Sequence, residues 1–157
     1  MKKYLKVTVS GDAPEKQIVF YDGKTIKYDL NIHYAPDGEA MYLDITPYIN
    51  LRMETDCPYE ITDEMPLPHS EGRPKAHFTV PRGWNNDPNG CVFDGENWHL
   101  FYQYNPVGTV WGNMHWGHAV SKDLLHFTDC PIALYPDEFG PAFSGSAWID
   151  TRNDAGF

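Results

Sequence analysis

Trp84-Asn85-Asn86-Asp87-Pro88-Asn89-Gly90-Cys91-Val92-Phe93-Asp94-Gly95-Glu96-Asn97-Trp98-His99-Leu100-Phe101-Tyr102-Gln103 is the stretch whose reading decides the fold. Cys91-Val92-Phe93 and Trp98 to Gln103 are runs of branched and aromatic residues on either side of an Asp94-Gly95 turn, and they predict an antiparallel hairpin. Upstream, Pro88 biases Asp87 toward an extended backbone and supplies no N–H, while Asn89-Gly90 reads as a tight turn. Asp87 is therefore expected on a stiff corner at the end of a strand. The Asn86 carboxamide stands just before it, and the Trp84 indole lies on the same side of an extended chain as Asn86. A carboxylate, a carboxamide and a flat apolar ring together suit a carbohydrate. The plain alternative is an ordinary Asp-Pro-Asn-Gly hairpin turn.

A turn alone does not require the blocks that follow. Phe101-Tyr102-Gln103-Tyr104-Asn105-Pro106 comes one hairpin later, then Trp111-Gly112-Asn113-Met114-His115-Trp116-Gly117-His118, Ser121-Lys122-Asp123-Leu124 and Phe143-Ser144-Gly145-Ser146. In this order and spacing the chain from about His77 to Phe157 resembles glycoside hydrolase family 32, the invertases, levanases, inulinases and related β-fructosidases. The resemblance implies that Asp87 is the catalytic nucleophile, with Asn85 at a variable position of its block. It also implies that Trp84, Asn86, Gln103, Trp111, Phe143 and Ser144 line the pocket for a terminal fructosyl unit. Their chemistry agrees: amides and a hydroxyl both donate to and accept from sugar hydroxyls, and indoles cover the apolar face of a small ring. No cofactor and no metal is implied.

The implied activity is cleavage of terminal β-D-fructofuranosyl residues of sucrose or fructans such as levan and inulin, by a retaining double displacement. That chemistry needs two carboxyl groups about 5–5.5 Å apart, one attacking and one protonating the leaving group. The family's Arg-Asp-Pro and Glu-Cys blocks, which carry its other acidic residues, are not found here. Asp123, Asp129, Asp137, Glu138, Asp150 and Asp154 stand in neither context. The expectation is an N-terminal part of the enzyme, inactive by itself, with the remaining acidic residues beyond Phe157. Two alternatives stay open: a fructosyltransferase on the same scaffold, and a catalytically incompetent carbohydrate-binding or structural fragment.

The fold expected is all-β, because aromatics, Gly and Pro are abundant and no long segment has apolar residues at helical spacing. Residues 1–60 read as a small antiparallel β domain: Leu5, Val7 and Val9 alternate, Ile18 to Tyr21 runs into Asp22-Gly23, and Met41, Leu43 and Ile45 alternate after Pro36-Asp37-Gly38. Residues 61–76 carry Pro66, Pro68, Pro74 and Gly72 among polar residues and read as a linker. Residues 77–157 would be the N-terminal part of the catalytic β-propeller, which the resemblance makes five-bladed. The hairpin, Met114 to Ser121 and about Phe127 to Ala133 would form the first blade, and Ala142 to Asp150 would open the second.

A net charge of −10 argues against nucleic acid and anionic membranes as partners and fits a neutral sugar. No apolar run is long enough to span a membrane, and Met1 to Lys6 is basic without a following apolar region, so a cytoplasmic location is favoured. Cys57, Cys91 and Cys130 have no Cys-x-x-Cys spacing and read as free thiols, chiefly packed in the core. His115 and His118, three apart on a strand, point to opposite faces, which argues against a metal pair. Ser144-Gly145-Ser146 lacks the first glycine of a nucleophile elbow. Ser121 to Phe127 reads as a blade turn with one capped helical turn, and Phe101, Tyr102 and Trp116 read as core.

Overall fold

The computed structural model describes residues 2–67, 72–74 and 76–156. Alternating apolar residues build the N-terminal part. In β1 (Tyr4–Val9) Leu5, Val7 and Val9 face inward, and in β4 (Glu39–Asp44) Met41 and Leu43 do so. The hairpin of β2 (Glu15–Asp22) and β3 (Thr25–His33) supplies Ile18, Phe20, Tyr28, Leu30 and Ile32. With β5 (Arg52–Thr55) and β6 (Glu60–Thr62) these form two three-stranded antiparallel sheets, ordered β4-β1-β6 and β3-β2-β5. Their apolar faces share one core, so neither face is left to water. β6 carries the sheet to Thr62, so the first two residues of the expected linker belong to a strand. Of that linker, residues 68–71 and 75, including Pro68, lie outside the described residues.

The second part is a four-stranded antiparallel meander of β7 (Trp84–Phe93), β8 (Trp98–Asn105), β9 (His115–Ser121) and β10 (Phe127–Leu134), ordered β10-β9-β8-β7. Tyr102, Val80 and Ala119 centre its own small core, with Phe78, Leu100, Tyr104 and Phe127 around them. Sandwich and meander are joined through packed side chains. Val107, fully buried, and the partly buried Ile132 and Tyr135 belong to the core cluster of the sandwich. Tyr48, delivered by a short 3-10 turn at Thr46–Tyr48, stacks on Tyr28 at 4.6 Å, and Tyr135 meets both rings edge-on.

Four local expectations are corrected. Asn89-Gly90 is no hairpin turn; it lies inside β7, whose ladder to β8 shifts register between Asn85 and Pro88 and again between Asn89 and Val92. Gly90, at φ +48°, bends the strand as a bulge does, and the hairpin turn falls at Asp94-Gly95 alone. Ala142 to Asp150 forms no strand: its backbone bonds to Gly90 of β7 and to Met114 are single contacts that do not extend into a ladder. Residues 122–126 are bends with no helical turn: Leu124 sits at φ +65°, and the Asp123 carboxylate accepts from the Leu125 and His126 amides. Of the cysteines, all free, only Cys57 is buried, and Cys91 is exposed.

Candidate active site

The two register shifts decide where Asp87 points. Asn85 pairs with Tyr104 and Pro88 with Tyr102, so Asn86 and Asp87 together stand opposite Gln103 alone. One extra residue in a strand re-aims its side chains, and Pro88 is tolerated because β7 is an edge strand. Asp87 is thus exposed at the sheet edge although β7 continues through it.

Its hydrogen-bonding partner comes from far along the chain. The Ser144 hydroxyl donates to Asp87 Oδ2 at 3.0 Å. Three bonds seat the segment that carries Ser144: the Gln103 amide donates to the Ala142 carbonyl at 2.8 Å, the Trp116 indole to the Phe143 carbonyl at 3.0 Å, and the Gly90 N–H to the Gly145 carbonyl at 3.2 Å. On the other side of Asp87 the Trp84 indole N–H donates to Asn86 Oδ1 at 3.3 Å, which leaves the Asn86 NH₂ group as a donor for a ligand.

The structure therefore brings together Trp84, Asn86, Asp87, Gln103, Phe143 and Ser144. Trp111 is set apart. It is 59% exposed on the loop between β8 and β9, and among the described residues no hydrogen bond or ring contact links it to Asp87. That loop nevertheless leaves β8 at Asn105, whose ladder partner is Trp84. Gln103 is buried, with its NH₂ group committed to Ala142 and its Oε1 without a partner. It is an anchor for the Ser144 segment that retains one acceptor.

Sequence reasoning missed Asn89. It is 2% exposed, and both atoms of its carboxamide lack a partner. Unpaired buried amides are rare and mark a place for a ligand group or an ordered water. Trp116 is buried in the core, and its ring also carries the Ser144 segment, since Gly90 and Gly145 both lie against it.

Elsewhere the titratable groups serve the fold. Burial pushes the His115 imidazole down to about 4, so the ring is neutral at ordinary pH. His118 is lowered by burial and then by its neighbour His99, whose ring stacks on it at 5.1 Å. The backbone N–H of Asn97, the His99 side chain and the Glu96 N–H hold Asp94 well below the usual carboxylate range. Burial raises Asp129, and it raises the thiols of Cys57 and Cys130, which weakens them as nucleophiles. Among the described residues no group of three His, Cys, Asp or Glu is placed to hold a metal ion. A cavity of about 310 Å³ opens between sandwich and meander, lined by Tyr42, Arg82, Tyr102, Tyr104 and Asp129 among others, and it includes none of the residues around Asp87.

The edge-strand Asp87, flanked by Asn86 and the Trp84 indole and backed by the Ser144 segment on a four-stranded meander, forms a polar site with an apolar wall. Residues 77–155 match the family described as Glycosyl hydrolases family 32 N-terminal domain, and the chain belongs to that family. It is 59% identical over 85 residues to the levanase of Bacillus subtilis, an alignment covering 54% of this chain and 13% of the levanase. A fructofuranosidase from Schwanniomyces occidentalis, solved with fructose, is 47% identical and superposes with a TM-score of 0.51 over 54% of this chain and 18% of its own. A family 32 glycoside hydrolase from Bifidobacterium adolescentis superposes over 97% of this chain and 30% of its own, with a TM-score of 0.53; at 24% identity this likeness concerns the fold. The chain spans 13–21% of the length of the curated relatives it matches. The molecule is all-β, and its meander is part of the family's β-propeller.

Proposed function

We propose that this chain supplies the nucleophile side of a retaining β-fructosidase that removes terminal β-D-fructofuranosyl units from sucrose or fructans. The observation that carries the reading is the Ser144-to-Asp87 hydrogen bond at 3.0 Å, between two family motifs 57 residues apart. In this reading Asp87 attacks the anomeric carbon from the exposed edge of β7 and the C–O bond to the leaving group breaks, giving a fructosyl ester. Asn86 holds a sugar hydroxyl, while Trp84 and Phe143 cover the apolar face of the ring. The acid that protonates the leaving oxygen, and later activates water, comes from further chain of the kind the longer relatives possess. The substrate is a neutral carbohydrate, and the location proposed is cytoplasmic. The test is Asp87→Asn in an enzyme containing this segment and that further chain, assayed for sucrose turnover and for fructose affinity.

A further inference from the structure

The loop from Pro106 to Met114 carries Trp111, and its shape is held at its two ends. At one end lies Asn105, 2% exposed, whose carboxamide oxygen accepts from the Val107 N–H at 3.2 Å and whose NH₂ group donates to the Val110 carbonyl at 2.9 Å. At the other end lies Asn113, whose NH₂ group donates to that same Asn105 oxygen at 3.2 Å. Asn113 has a φ of +45°, a conformation that Asn tolerates but that few residues adopt unless surroundings fix it.

What fixes Asn113 is the N-terminal sandwich. Its Oδ1 accepts from the Asn31 backbone N–H at 2.8 Å, and its NH₂ group donates to the Asn31 carbonyl at 2.8 Å, so the side chain pairs with β3 as a strand neighbour would. Its own carbonyl accepts from Nδ1 of His115. With that nitrogen protonated and the ring neutral, Nε2 is an acceptor, and it takes the Tyr28 hydroxyl at 2.6 Å. Tyr28 belongs to the sandwich core and His115 is fully buried, so this path runs without water from one part of the molecule to the other.

We infer that the sandwich is a positioning element for the substrate site: Asn31 and Tyr28 hold Asn113, Asn113 and Asn105 hold the 106–112 loop, and the loop sets the Trp111 indole. The inference rests on the fructosidase reading for what Trp111 meets, and not for how the loop is held. Tyr28 and His115 act through Asn113 and touch no substrate, so their effect falls on affinity and loop order.

The test uses the whole chain, with ¹⁵N relaxation of the backbone amides of residues 107–112 and fructose titration as readouts. Tyr28→Phe keeps the stacked ring and removes the hydroxyl. Asn113→Asp keeps the positive φ and the acceptor for Asn31 N–H but removes both NH₂ donations. In each variant the backbone order parameters of residues 107–112 should fall from the rigid range, about 0.85, toward values below about 0.6, and the fructose dissociation constant should rise roughly two- to tenfold. Lys27→Ala removes only the exposed ion pair to Glu138 across the same interface and should leave both unchanged. A loop that stays rigid in folded Asn113→Asp overturns the inference, as does equal loosening by Lys27→Ala, which would indicate general undocking. If Tyr28→Phe fails to fold, Asn113→Asp decides alone, since it removes no core atom. The order parameters decide the positioning claim whether or not the parent chain, which supplies only the nucleophile side of the site, binds fructose; the fructosidase reading is tested separately by Asp87→Asn in an enzyme with the further chain.

Discussion

Gly90→Ala probes the contact on which the site is built. Gly90 sits at φ +48°, and a methyl added there would lie 3.0 Å from the Trp116 ring, 3.1 Å from Ala147 Cβ and 3.2 Å from the Phe101 ring. Two effects should add: about 1–2 kcal/mol for holding a non-glycine residue in the left-handed region, and about 1–3 kcal/mol for forcing a methyl into a filled space. Gly23 isolates the first, because its φ is +60° and nothing lies within 4 Å of an added Cβ. Urea unfolding of both variants should show Gly23→Ala destabilised by about 1–2 kcal/mol and Gly90→Ala by about 2–5 kcal/mol, with unchanged m-values. The extra loss should come with displacement of residues 144–147 and a weaker Ser144-to-Asp87 bond, readable as faster exchange of the Gly90 amide, which donates to Gly145. Equal destabilisation by the two substitutions would refute the claim that the Ser144 segment is packed down onto β7.

Two further outcomes follow from burial. The neutral His115 ring, lowered by burial from the usual 6.5 to about 4, binds fewer protons folded than unfolded between those values. Its contribution is therefore complete above pH 6.5 and is lost as pH falls toward 4, a change of about 3 kcal/mol. His118 acts in the same direction, and His115→Gln should remove most of the slope when urea stability is measured at intervals across that range. Gly117→Ala should destabilise by about 1–3 kcal/mol because a Cβ there overlaps the Tyr102 ring; in a double-mutant cycle with Tyr102→Leu the penalty should shrink, and strict additivity would contradict the packing.

Much of this architecture was legible because alternation is a local signal. Leu5, Val7, Val9, Met41 and Leu43 needed only their period-two spacing to declare an inward face, and Asp94-Gly95 declared its own hairpin. Asn89-Gly90 misled because the same dipeptide serves a two-residue turn and a bulge; the choice is made by Tyr102 and Phe101, which continue the ladder beside it. The family resemblance implied that Asp87 and Ser144 share one site, and the fold joins them by a hydrogen bond of 3.0 Å. The roles of Asn31, Tyr28 and Asn113 were illegible, since Asn31 acts through its backbone and each contact spans more than 80 residues of sequence.

The most direct test of the central claim is sucrose turnover by Asp87→Asn, in an enzyme that contains this segment together with the chain supplying its acid, measured beside fructose affinity and thermal midpoint. The substitution keeps size and shape and removes the attacking carboxylate. Turnover should fall at least about a thousandfold, roughly 4 kcal/mol of barrier, while fructose affinity and the thermal midpoint stay near those of the parent. Retention of more than about a tenth of the turnover, a change of only about 1.4 kcal/mol, would show that Asp87 is not the nucleophile.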